Sequence, residues 1–162
     1  MEEDRAVEEK KKRHPIGRIL LLIPVVLIAL LISLYIVCPF INDAVAENVV
    51  KEMKAKPLPE KTVIVEEISE AGKLVGNGNG MQYFGALLLK SDVPLEELKA
   101  YYSQFSDKWW AYVVEKQNDG EIKEVEHDRL FFKTNIDEEN YYILYTWGDY
   151  DGFASEFDLR GH

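Results

Sequence analysis

The sequence predicts an α+β protein in which an N-terminal transmembrane helix is followed by an antiparallel sheet of about five strands, with one or two helices packed on it. Two observations support this fold class. Residues 19–41 are a run of 23 residues without a charge. Residues 61–162 contain several short apolar runs typical of strands but few helical patterns. Strands that follow one another, with few helices between them, indicate an α+β arrangement and not a wound parallel sheet.

The uncharged run is the first element. As an α-helix with ~1.5 Å of rise per residue it extends roughly 34 Å, enough to cross a hydrocarbon core of about 30 Å. We therefore expect residues 19–41 to contact the lipid bilayer as a single transmembrane helix. A cleaved signal peptide is the alternative, because Ala44-Val45-Ala46 before Glu47 is an acceptable cleavage sequence. The apolar region of a signal peptide runs only about 7–15 residues, which favours the retained helix, but cleavage between Ala46 and Glu47 stays open.

Charge is distributed unequally about this helix. Residues 1–18 contain six cations and five acids, a net charge of +1, whereas residues 42–162 contain 13 cations and 24 acids, a net charge of −11. Because Lys and Arg near the ends of a span mark its cytoplasmic side, we expect residues 1–18 to be a cytoplasmic tail. The C-terminal domain is then extracytoplasmic at the cell membrane. Its acidity excludes the basic surface that binding to nucleic acid requires.

Residues 42–60 are predicted to form a juxtamembrane amphipathic helix and a linker. Val45, Val49 and Met53 recur at helical spacing, and Pro57 ends the pattern. Such a helix either pairs with a partner helix as a stalk or covers one face of the following domain. The pattern is too short to indicate a coiled coil, which favours the second interpretation.

Residues 61–162 are predicted to form the extracytoplasmic α+β domain. The run Gln82–Lys90 is almost continuously apolar, as in a central strand buried on both faces. Asn118-Asp119-Gly120 predicts a hairpin turn, and Pro94 predicts the start of a helix. Apolar runs between turn residues predict strands at 62–69, 82–90, 110–114, 129–134 and 141–147.

The segment GNGNGMQYFGALLLKSDVPLEELKAYY, residues 76–102, resembles a stretch of a family of small, single-pass, membrane-anchored bacterial proteins of no known activity. The resemblance covers a quarter of the chain or less. It implies a shared domain, and it transfers no activity to this chain.

The glycine cluster in that segment is the first candidate site. Gly and Asn tolerate positive φ, which tight turns require. A phosphate-binding loop needs a helix and a Lys after the glycines, but a strand and Met81 follow here. The pattern therefore indicates a structural turn, with an exposed ligand-binding loop as the alternative. The loop consists of Gly76, Asn77, Gly78, Asn79 and Gly80.

The second candidate is a metal site formed by Asp149, Asp151 and Asp158. Their spacing matches three ligand positions of a calcium-binding loop, with Gly152 at the sharp turn. Trp147 would occupy the first ligand position, where it offers no oxygen ligand, and flanking helices are not predicted. A polar turn explains the segment better, and a weak divalent-cation site is the alternative.

No residue pattern names a catalytic reaction. The chain contains one cysteine, Cys38, and only His127 and His162 are histidines beyond the apolar run. We therefore expect no catalytic residues and no cofactor, and we do not expect an enzyme. The predicted function is a membrane-anchored extracytoplasmic binding or interaction module, with a protein partner as one candidate ligand. The alternatives are a weak divalent-cation-binding domain and an unrecognised hydrolase that uses some of the carboxylates.

Overall fold

The structure is a computed structural model that describes residues 15–108 and 110–162, without the side chains of residues 15–19 and 21. It is an α+β fold, as the sequence predicts. Two helices, six strands and two short 3₁₀ turns follow in the order α1 (Pro15–Lys54), β1 (Thr62–Gly72), β2 (Gln82–Ser91), α2 (Leu95–Ser103), β3 (Val113–Lys116), β4 (Glu121–Ile122), β5 (Leu130–Phe131), β6 (Tyr141–Gly148), Phe153–Phe157 and Leu159–Gly161.

α1 is one helix of 40 residues, where the sequence predicts a membrane span and a separate juxtamembrane helix. From Leu22 onward it is long and apolar enough to cross a membrane, and it is the one such helix in the described part of the chain. The chain divides into two compact units between Leu34 and Tyr35. The second unit, Tyr35–His162, contains the rest of α1 and all the strands.

The main sheet has four antiparallel strands in the order β1-β2-β6-β3, and β4 and β5 form a separate two-stranded sheet. β2 is central and buried from Tyr83 to Leu89, which confirms the predicted strand with two covered faces. The turn Asn118-Asp119-Gly120 is predicted to join two paired strands of a hairpin. It joins β3 to β4 instead, and these two strands do not pair because they lie in different sheets. The Gln117 side-chain amide holds this turn by donating to two backbone carbonyls, those of Asp119 at 2.9 Å and Glu121 at 2.7 Å.

The core has two parts, each formed by a cluster of buried side chains. The first cluster contains side chains of α1, β2 and α2, including Val49, Met53 and Leu98. The second contains side chains of β2 and β6, with Phe84 and Ile143 at its centre. Helix α1 therefore covers a face of the sheet, as the second interpretation of residues 42–60 predicts.

Two glycines allow α1 to approach the sheet closely. A Cβ added at Gly85 of β2 would lie 2.7 Å from the Val49 side chain, and one added at Gly148 of β6 would lie 2.4 Å from it. Both distances are shorter than any ordinary contact between carbon atoms. The missing side chains thus create the space that Val49 occupies.

Candidate functional site

β1 is an edge strand of the main sheet and lines clefts together with α1. It pairs with β2 on one side, and in the part of the chain that the structure describes no strand lies on its other side. At 11 residues it is longer than any other strand in the sheet. An open edge presents unpaired backbone N–H and C=O groups, which makes it a template for pairing with another polypeptide.

Two adjoining clefts follow this edge, and we call them together the α1–β1 groove. They measure about 350 and 240 Å³ and share Glu47 and Ser69. Each is lined by three consecutive residues of β1: residues 69–71 in the first and residues 67–69 in the second. Neighbouring side chains of a strand point to opposite faces, so a cleft that touches three in a row meets the strand at its edge.

The opposite wall of the groove is α1. Asp43, Ala46 and Glu47 line the first cleft, and Glu47, Val50 and Lys51 line the second. A third cleft continues along the same edge, where residues 64–67 of β1 meet Lys54 and Lys133. Three neighbouring clefts therefore follow β1 from Ile64 to Ala71, each with at least one residue of α1 in its lining.

Charged side chains line the groove on both walls. Lys51 lies 3.7 Å from Glu47, and Lys54 forms an ion pair with Glu67 across the groove. These pairs are exposed, and exposed ion pairs exchange easily because each is worth only ~0–1 kcal/mol. An incoming cation can therefore replace a lysine at little cost.

Glu70 is the half-buried carboxylate of the first cleft. Burial raises the pKa of Glu70, the negative charge of Asp128 raises it further, and the positive charge of Arg160 partly opposes both effects. Within the described residues Glu70 has no ion-pair partner within 4.0 Å. A cation placed in the first cleft would stabilise its charged form.

A buried polar network forms the end of the groove nearest Asp43. The Asn42 side-chain amide donates to the Asp158 carboxylate at 2.9 Å and to the carbonyl of Ala154 at 3.2 Å. The Tyr83 hydroxyl donates to the Asn42 carbonyl oxygen at 2.8 Å. Burial raises the pKa of Tyr83, so the hydroxyl keeps its proton and remains a donor.

Arg160 connects this network to the groove. Its guanidinium contacts Asp158 at 2.8 Å and Asp43 at 2.7 Å, and it donates to the carbonyl of Pro39 at 3.1 Å. Burial alone would raise the pKa of Asp158, but hydrogen bonds from Arg160 and Asn42, with the charge of Arg160, outweigh burial and lower it. Asp158 is therefore a charged and fully engaged carboxylate.

The predicted glycine site is an exposed turn held at both ends. Gly76 has φ +74° and Gly80 has φ +146°, whereas Gly78 lies outside the positive-φ region. The Gly76 N–H donates to the Glu126 carboxylate at 3.1 Å, and the Gly80 N–H donates to the carbonyl of Gly161 at 2.7 Å. Its role as a structural turn is thus supported at Gly76 and Gly80. Ligand binding by Gly76, Asn77, Gly78, Asn79 and Gly80 stays a prediction.

The three aspartates of the predicted metal site are not brought together. Asp149 and Asp151 are exposed, whereas Asp158 is buried and hydrogen-bonded to Arg160 and Asn42. The described residues contain no group of three or more His, Cys, Asp or Glu side chains placed to hold a metal ion. A carboxylate already engaged by a guanidinium is a poor calcium ligand, since the metal would have to displace a charged partner.

The groove residues were not identifiable from the sequence as a site. Asp43 and Arg160 are separated by more than a hundred positions along the chain, and neither belongs to a recognisable motif. The acidic residues just after the apolar run were the one available signal.

Comparison of the chain with models of protein families, with curated proteins and with solved structures finds no match.

Proposed function

We propose that this protein is a membrane-anchored extracytoplasmic module that binds an extended, positively charged polypeptide segment in the α1–β1 groove. Anchoring is supported by α1, whose large apolar side chains between Leu22 and Val37 are nearly all exposed. The cations before this run and the acids after it support a cytoplasmic N-terminus and a domain outside.

The open edge of β1 beside α1 is the observation that carries the binding proposal. An extended peptide adds to such an edge as a further strand, using main-chain hydrogen bonds for affinity and side-chain contacts for specificity. The regularly paired part of this edge, residues 66–71, extends roughly 20 Å at ~3.3 Å per residue, which accommodates a segment of comparable length. The wall formed by α1 covers one face of the added strand.

A β-bulge in β1 limits the groove at the end nearest Ile64. The register of β1 against β2 shifts between Ile64 and Glu66, which is the signature of a β-bulge. There the Glu66 carboxylate accepts hydrogen bonds from the backbone N–H groups of Lys133 and Thr134, each at 2.9 Å. A bulge interrupts regular pairing, so the added strand would lie mainly along residues 66–71.

Charge supports a basic ligand. Residues 42–162 carry a net charge of −11, which attracts positively charged segments over a distance. Within the groove Glu47, Glu67 and Glu70 lie beside the edge of β1. Glu67 and Glu70 are three positions apart and therefore lie on opposite faces of β1, so lysine or arginine side chains on either face of an added strand would meet a carboxylate.

Peptide binding to the full-length protein in neutral detergent micelles tests the proposal. The probe is a fluorescent peptide of alternating lysine and valine, and the comparison peptide alternates glutamate and valine. Fluorescence anisotropy should report saturable binding of the first peptide only, weakening as salt is added. Ser69→Trp fills the groove without changing its charge and should abolish this binding.

Ser103→Trp is the matched control, because Ser103 is exposed on α2, outside the groove. It should leave peptide binding unchanged. Equal retention in both variants would show that the peptide binds by general charge attraction, and equal loss would show that the loss does not come from filling the groove. Either result would overturn the groove as the site. Absence of binding by any variant and by the unmodified protein would overturn the ligand class.

A further inference from the structure

The two 3₁₀ turns after β6 expose large apolar side chains. Phe153 is 59% exposed and Leu159 is 71% exposed. Phe40 on α1 is 70% exposed. We call residues 152–162 the C-terminal segment. Exposed apolar side chains that lie on one surface are typical of a site that meets an apolar partner.

The C-terminal segment packs against one short stretch of α1. The ring of Phe157 contacts that of Tyr35, with centroids 5.8 Å apart and planes at 74°. The carbonyl of Ala154 accepts from Asn42, and Arg160 donates to the carbonyl of Pro39. These contacts place the segment beside residues 35–42 of the helix.

Residues 35–42 include the end of the uncharged run, which stops at Ile41. In a chain whose α1 crosses a bilayer, this stretch lies at the boundary between acyl chains and headgroups. The C-terminal segment, which contacts the same stretch, lies at the same depth. Aromatic rings are enriched at this depth because one part of the side chain can be apolar and the other hydrated.

The polar groups of the C-terminal segment are compatible with the headgroup region of a bilayer and not with its hydrocarbon interior. The Asp158 carboxylate is buried and paired with Arg160, so this aspartate presents no bare charge to lipid. Glu156 is exposed and would remain in the hydrated headgroup layer. Apolar and charged side chains that alternate in a short segment are typical of interfacial membrane contacts.

We infer that the C-terminal segment is a second membrane contact, with Phe153 and Leu159 inserted between the headgroups of the bilayer that α1 crosses. The ligand is thus the lipid surface itself, reached because the segment is bound to α1 where the helix leaves the membrane. This inference depends on the proposed membrane span but on neither the groove nor the orientation of the chain.

Site-specific fluorescence in vesicles of phosphatidylcholine tests the inference. The full-length protein carries Cys38→Ala, so that a single cysteine can be introduced and labelled with an environment-sensitive dye. Phe153→Cys and Leu159→Cys report on the segment. Leu27→Cys reports on the span, and Leu58→Cys is an exposed apolar control beyond the far end of α1. From Asn42 to Lys54 the helix rises roughly 18 Å, which places that control well above the boundary.

Quenching by spin-labelled lipids measures the depth of each dye. Dyes at 153 and 159 should be quenched several-fold more strongly by a spin label near the headgroup than by one deep in the acyl chain, with a blue-shifted emission. The dye at 27 should show the opposite preference, and the dye at 58 should be quenched by neither. If 153 and 159 behave as 58 does while 27 is quenched, the segment does not contact lipid and the inference is wrong. If 27 is not quenched, the span itself is overturned, and the inference with it.

Discussion

Arg160 joins three stretches of chain that are distant in sequence. Its guanidinium contacts Asp158, Asp43 and the carbonyl of Pro39, and its own carbonyl accepts from the N–H of Lys73 at 2.8 Å. A planar guanidinium offers several donors in fixed directions, so this side chain connects the last part of α1 to the C-terminal segment, while the backbone carbonyl of Arg160 connects the segment to the residue after β1. A lysine would supply the charge without this geometry.

Replacement of the buried carboxylate, Asp158→Asn, should destabilise the folded protein at neutral pH. Because solvent screens the partly exposed Arg160, we expect the free energy of unfolding to fall by only about 1–2 kcal/mol. Because the folded pKa of Asp158 is lowered, its stabilisation is present above the ordinary Asp pKa of about 3.9 and is lost as pH falls through the lower folded value. Urea denaturation in detergent micelles at several pH values measures the difference between variant and wild type.

The exposed Asp151 provides the control for this measurement. Asp151→Asn should change the free energy of unfolding by less than ~0.5 kcal/mol at any pH. A deficit of the Asp158 variant that stays constant down to strongly acidic pH would contradict a charged carboxylate in the network.

The glycine turn allows a comparison between neighbouring positions. Gly80→Val should destabilise the domain by about 1 kcal/mol or more, because valine is strained at φ +146°. Gly78→Val should be nearly neutral, since Gly78 lies outside the positive-φ region and an added Cβ would meet open space. Of the three glycines in this turn, Gly76 and Gly80 therefore require positive φ and Gly78 does not. An equal loss of unfolding free energy in the two variants would show that the positive φ of Gly80 is not the reason for the glycine at that position.

At the scale of elements, the packing of α1 on the sheet decides the architecture. Val49 occupies the space left by Gly85 and Gly148, and Met53 packs one helical turn further along. Side chains that repeat every three or four residues bring one face of a helix to the sheet. The helix thus completes one half of the core while forming one wall of the groove.

A double-variant cycle tests this packing. Gly148→Ala adds a methyl group where Val49 lies, and overpacking of this kind costs about 1–3 kcal/mol. Val49→Ala removes the opposing methyl groups and by itself also lowers the free energy of unfolding. Since the second change makes room for the first, the combined variant should lose less stability than the sum of the two. Denaturation of the three variants gives this coupling energy, and strict additivity would show that α1 does not contact β6 at this point.

At the scale of the whole molecule, the prediction concerns topology. Protease added to cells from which the wall has been removed should digest the domain that follows α1, because cations precede the apolar run and acids follow it. A cytoplasmic protein in the same cells serves as the control and should stay intact. Protection of the domain would reverse the proposed orientation. A mature chain that begins at Glu47 would instead establish a cleaved signal peptide.

The sequence by itself determined the class of the molecule and the nature of its central elements. An uncharged run of this length and the continuous apolar stretch of β2 are local patterns. The first predicts a helix long enough to cross a membrane, and the second predicts a strand buried on both faces. The amphipathic spacing of Val49 and Met53 likewise predicted that this helix covers a face of the sheet. Local sequence is sufficient in such cases because hydrophobic burial dominates the choice.

Only the tertiary structure decided which elements pair and where polar groups meet. The hairpin signal at Asn118-Asp119-Gly120 was local, but β3 pairs with the longer β6, which offers more backbone partners and a buried face. The network of Asn42, Asp158 and Arg160 depends on contacts between residues more than a hundred positions apart. No local pattern encodes such contacts, because hydrogen bonds and ion pairs require a specific distance that the packed core alone establishes. The open edge of β1 beside α1, and with it the candidate groove, is for the same reason a property of the fold and not of any one segment.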